Sequence, residues 1–87
     1  MLSEAGRANA PTQSEVERAF GRADITRQEG AGLALTYRFE TCALLLLFAA
    51  DQRNTMRLAQ AHPSARQSGM AAPSLEQCAA EAQARRN

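Results

Sequence analysis

The spacing of apolar positions predicts a helix near each end of the chain and a longer one between them. Val16, Ala19, Phe20 and Ala23 recur at the i, i+3, i+4, i+7 intervals of a one-sided helix. Two overlapping capping boxes, Thr12-x-x-Glu15 and Ser14-x-x-Glu17, mark its start, because each hydroxyl can accept from an orphan amide while the glutamate reaches back. Gly21 weakens the interior and offers an end. Thr26-x-x-Glu29 is a third box and Asp24 a further cap, so a new helix is expected to follow quickly. Ser74-x-x-Gln77 opens the last helix, which runs toward Arg86 with Leu75, Cys78, Ala79 and Ala82 along its apolar line. Arg85 and Arg86 suit the negative end of its dipole.

The middle of the chain carries two patterns. Leu33 to Glu40 alternates apolar with small or polar side chains, the period of a half-buried strand. No second convincing strand stands ready to pair with it, and a lone strand leaves its backbone groups unpaired. The stretch also continues without a breaker through Thr41 to Ala61. The expectation is therefore one long helix from Asp24 or Ala31 to Ala61, ended where His62 precedes Pro63. Measured from Ala31 it would be about 45 Å long. Whether Leu33 to Phe39 is helix or strand stays open. Pro63 to Pro73 reads as a loop and residues 1–11 as a flexible polar lead before a single helical domain, 12–87. The expected fold is all-α: a small three-helix protein with one long central helix.

Leu44, Leu45, Leu46, Leu47 and Phe48 then need covering on every side, because consecutive helical residues are turned by about 100°. The outer helices offer mainly alanine, with Val16, Phe20 and Leu75 as their large members. They suffice for one side. The other side of Leu44 to Phe48 is expected to form a homodimer interface, and the flank bearing Tyr37, Phe39, Met56 and Leu58 to contact a larger protein partner.

Composition supports association. The chain has 87 residues, and its 45% hydrophobic content is nearly half alanine. Leu, Ile, Val and Phe number 14 of 87, about 16%, which makes for a thin core. All 10 basic residues are arginine, which together with the alanine points to a GC-rich bacterial genome. They nearly balance 9 acids, and a net charge of +1 supplies no broad field for nucleic acid or acidic lipid. The longest apolar run, Cys42 to Ala50, is far shorter than the roughly 20 residues a bilayer-spanning helix needs. Met1-Leu2-Ser3-Glu4 begins with an early acid and no apolar leader, so a cytoplasmic location is expected. Cys42 and Cys78 are too few for a disulfide scaffold or a four-ligand zinc site. They read as two buried thiols, with a bridge between elements or between chains as the alternative.

Catalytic patterns are weak, so no enzymatic activity, cofactor or metal is expected. His62 stands before a proline with no acid or cysteine beside it. Gly30-Ala31-Gly32 lacks the Gly-Lys-Ser/Thr ending of a phosphate loop and reads as a helix start or a close-packing point. Glu15 and Glu17 serve caps, and ligation by Cys42, Cys78 and His62 would require an unusual meeting. Gln13 to Gly21 is superficially similar to the first helix and turn of a helix-turn-helix, but Arg22, Asp24 and Arg27-Gln28-Glu29-Gly30 do not continue it as a recognition helix. The function expected is that of a small protein-binding regulator, an inhibitor or antiactivator occluding the dimerisation or recognition surface of a larger bacterial protein such as a transcription factor. A DNA-binding regulator and a structural subunit or chaperone of a larger assembly are the alternatives.

Overall fold

The computed structural model describes residues 1–86. It overturns the all-α expectation. A 3-10 turn (Leu2–Glu4) and helix α1 (Gln13–Phe20) lead into β1 (Ile25–Glu29), β2 (Gly32–Arg38), β3 (Cys42–Ala50) and β4 (Met56–Ala65), followed by α2 (Leu75–Arg86). The strands form one antiparallel sheet in the order β1-β2-β3-β4. The expected central helix is thus three strands and their turns, and Thr26-x-x-Glu29 lies within β1 rather than capping a helix.

The physical reason is pairing. Leu33 to Thr36 has strand partners on both sides, Ile25 to Gln28 on one and Leu45 to Phe48 on the other, so the backbone rows of this stretch are paired. Gly30-Ala31 is the two-residue turn of the first hairpin, and Gly30 holds the positive φ (57°) that such a turn asks of its first residue. The β3–β4 turn is shaped by Asp51, whose carboxylate accepts from the amides of Arg53 (2.8 Å) and Thr55 (2.9 Å) and from Nε of Arg57 (2.7 Å). Pro63 does not end a helix. It sits in β4, an edge strand, where a missing donor is tolerated.

Both terminal helix starts are where the capping patterns place them. Thr12 caps α1 with a complete capping box to Glu15, and Gly21 closes it. The Ser74 hydroxyl accepts from the Gln77 amide at 3.1 Å at the head of α2. The N-terminal lead lies along β4: Gly6 donates to the Leu58 carbonyl and Leu58 donates to the Pro11 carbonyl. Leu2 and Ala10 are buried with the core.

That core occupies one face of the sheet. Leu33, Leu35, Tyr37 and Phe39 meet Cys42, Leu44, Leu46, Phe48 and Leu58, covered by Val16 and Phe20 of α1 and by Cys78 and Ala82 of α2. Phe20 stands edge-on to Tyr37 (5.8 Å) and Phe39 (6.4 Å), which stack on each other at 5.6 Å. The Tyr37 hydroxyl donates to the Gly21 carbonyl at 2.7 Å, and burial, then the nearby Glu17 charge, pushes its pKa up to about 12.

Because α2 brings mostly alanine, its attachment is covalent and polar. Cys42 and Cys78 form a disulfide with a Cα–Cα distance of 5.5 Å, within the usual span, so the bridge joins β3 to α2. Glu81 accepts from the amides of Thr41 (2.8 Å) and Cys42 (3.1 Å) and from the Thr41 hydroxyl. Arg85 grips both oxygens of Asp24 at 2.8 Å, and Asp24 also takes the Arg38 amide at 2.7 Å. The Arg85 guanidinium, then the Arg38 amide, hold the Asp24 pKa down to about 2. The Thr41 hydroxyl is the first cause holding Glu81 down to about 2.

A depressed carboxylate contributes stability above its ordinary pKa and loses it as pH falls toward the folded value. The attachment of α2 is therefore expected to weaken as pH drops from the ordinary values of 3.8 (Asp24) and 4.5 (Glu81) toward about 2. Urea midpoints at about pH 5 and about pH 2.5 measure this loss, and Asp24→Asn with Glu81→Gln should flatten it. An unflattened pH dependence would place the acid-sensitive groups elsewhere.

Candidate interaction surface on the helix-free face

Strand geometry divides the leucine run, since successive side chains point to opposite faces. Leu44, Leu46 and Phe48 enter the core, at 0%, 0% and 2% exposure. Leu45 and Leu47 project from the other face, Leu45 at 36% exposure and Leu47 half-buried. Of the residues expected to contact a partner, Tyr37, Phe39 and Leu58 are core residues and Met56 is half-buried beside them. The sheet therefore brings Leu44, Leu46, Phe48, Tyr37, Phe39 and Leu58 together as interior, and separates them from Leu45 and Leu47.

The register defines what surrounds these two leucines. One row across the sheet is Ile25, Thr36, Leu45 and His62, and the next is Arg27, Ala34, Leu47 and Gln60. A third, at the far end, is Arg38, Ala43 and Ser64. The buried residues of both helices and of the 3-10 turn belong to the core cluster on the opposite side. No described helix covers these rows. Ile25 is 38% exposed, and Gln60, His62 and Ser64 are exposed along β4.

The resulting surface exposes Ile25 and Leu45 on either side of Thr36, with Leu47 half-buried and Ala34 buried between strands, and has polar borders. Arg27 and Glu29 lie along β1, Arg38 at one end, and the His62 ring contacts the Gln60 side-chain oxygen at 2.7 Å on β4. The β4 bulge, a register shift opposite Leu47 and Phe48, keeps Gln60 and His62 on this face while returning Leu58 to the core. Ile25 is the surface residue that helical periodicity passes over. Its signal is the Gly30-Ala31 turn, which pairs Ile25–Glu29 with Gly32–Thr36 once read as a hairpin.

The chemistry considered for other residues falls elsewhere. Cys42 and Cys78 bond to each other inside the core, whereas His62 is on the open face. Among the described residues, no three or more His, Cys, Asp or Glu side chains gather as a metal site would require. After Gly21 the chain enters strand β1, so the second helix of a helix-turn-helix is not formed there. No described helix is long and apolar enough to cross a membrane. Comparison with known proteins brings no relative to this fold: no family model, no curated protein and no solved structure matches the chain.

Proposed function

We propose that this chain is a small non-enzymatic regulator that binds a larger protein through the helix-free face of its sheet, centred on Leu45. The observation that carries the proposal is the placement of Leu45 and Ile25, at 36% and 38% exposure, on a face from which both helices are absent. Contiguous apolar surface rimmed by polar groups favours a protein contact. Arg27 and Arg38 at the borders suit a partner with an apolar centre and flanking carboxylates, because the guanidinium fork matches carboxylate geometry. Bound there, the chain occludes whatever its partner would otherwise dock at that surface.

The regulator reading includes a location. The Cys42–Cys78 bridge favours an oxidising compartment over the cytoplasmic one expected from the N-terminus, since disulfides persist where thiols are not kept reduced.

Photo-crosslinking tests the surface. A photoreactive residue replacing Leu45 is expected to capture a defined partner in the native host, and the same residue at Glu76 on α2 is not. Ile25→Glu should abolish capture from position 45 with the circular dichroism unchanged. Equal capture from both positions, or capture indifferent to Ile25→Glu, sinks the proposal.

A further inference from the structure

We infer that β1 is a self-complementary edge through which two copies of the chain pair, two-fold and antiparallel about Gln28, into one continuous sheet. The sheet has two edges, β1 and β4. The β4 edge is partly occupied, since Leu58 exchanges hydrogen bonds with Gly6 and Pro11, and it is interrupted by Pro63. The β1 edge carries no proline, and all 5 of its residues are exposed. An uncovered row of backbone donors and acceptors is a template for another strand.

The hairpin determines which groups that row presents. Glu29 and Gly32 pair directly across the Gly30-Ala31 turn, so they are a hydrogen-bonded pair, and pairs alternate from there. Glu29, Arg27 and Ile25 turn their backbone groups toward β2. Thr26 and Gln28 turn theirs outward.

An added antiparallel strand must match these outward groups, which leaves a few two-fold registers, and side-chain pairing separates them: centring on Thr26 sets each Arg27 opposite an Ile25 and forms no ion pair. Centring on Arg27 sets Arg27 against Arg27 of the second copy. Centring on Glu29 sets Glu29 against its own copy. Centring on Gln28 lets the two Gln28 residues exchange both backbone hydrogen bonds, and it sets each Arg27 opposite a Glu29, twice. These are non-hydrogen-bonded positions, where facing side chains come closest. Within one chain the same two groups are only loosely engaged, 4.0 Å apart with side chains 69% and 54% exposed.

The occupant is thus a second copy, because the Arg-Gln-Glu order is complementary to itself when reversed. Arg27 and Glu29 share a face with Ile25, Leu45 and Leu47, as the register shows. Pairing therefore joins two helix-free faces into one, across two sheets of 4 strands each. The pairing does not depend on what that face binds.

Charge reversal provides the test, read by sedimentation equilibrium over a concentration series. The wild-type chain is expected to dimerise reversibly. Arg27→Glu and Glu29→Arg should each weaken dimerisation roughly tenfold or more, because each sets like charges opposite each other twice. The double variant should recover it. An equimolar mixture of the two single variants should form a heterodimer, since the acidic edge of one then meets the basic edge of the other. A monomeric wild type, single reversals without effect, or a mixture that does not associate would overturn the inference. So would a dimer lost on Leu45→Glu but indifferent to Arg27→Glu, which would place the second copy on the open face. Partner crosslinking from Leu45 that persists in Glu29→Arg, a residue with no assigned role at the partner contact, separates failure here from failure of the regulator reading.

Discussion

Truncating Leu46 to alanine is expected to destabilise the protein by about 2–5 kcal/mol, whereas Leu45→Ala, one residue earlier, is expected to cost less than about 1 kcal/mol. Leu46 is fully buried among Leu35, Leu44 and Leu58, so its truncation removes transfer free energy and leaves a cavity that rigid neighbours only partly fill. Leu45 is 36% exposed on a face no described helix covers, and its truncation opens no cavity. Leu44→Ala should resemble Leu46→Ala. The contrast is a direct readout of strand phase, because in a helix covered on both sides all three truncations would cost similar amounts. Urea midpoints of the three variants decide it. Comparable losses at Leu45 and Leu46 would contradict the register of β3.

The second large effect is expected from the disulfide. Replacing Cys42 and Cys78 together by alanine should cost about 4 kcal/mol, the loop-closure entropy that a bridge of this span removes from the unfolded chain. The sequence separation is 36 residues. A domain of this size has a total stability of only about 4–13 kcal/mol, so the loss is a large share of it. In a thermal scan it corresponds to a drop of roughly 15–30 °C. The loss should be concentrated in α2, whose remaining ties include the Glu81 contacts at Thr41 and Cys42, the Arg85–Asp24 pair and the packing of Ala82 on the core. Alkylation of intact cells is the companion measurement: in an oxidising compartment neither cysteine is labelled. A shift in unfolding below about 1 kcal/mol would show that α2 docks without the bridge.

Legibility in the sequence followed the range of the interactions. The capping boxes at Thr12 and Ser74 are local, using groups within one helical turn, and both are realised. Alternation across Leu33 to Glu40 carried a true strand signal. Its partners carry weak strand signals of their own: β1 is mostly polar and fully exposed, and β4 is rich in alanine and contains Pro63. Partial legibility of the surface has a similar cause. The leucine run stood out, but with Leu44, Leu45, Leu46 and Leu47 all identical, neither a two-residue nor a helical period is written in it.

Composition and local patterning thus established two capped terminal helices and a run of large apolar residues in mid-chain. Those properties depend on residues taken singly or in short groups. The three-dimensional arrangement alone chose which leucines face inward, joined Cys42 to Cys78 and left Leu45 on an open face. Each of these depends on which distant strand pairs with which, and in what register. A one-residue shift of β3 would exchange Leu44 and Leu46 for Leu45 and Leu47 at almost no change in apolar character. The choice is made by the neighbours: Tyr37 on β2, Phe39 just after it, Cys78 on α2 and Leu58 beyond the bulge are all satisfied in one phase together.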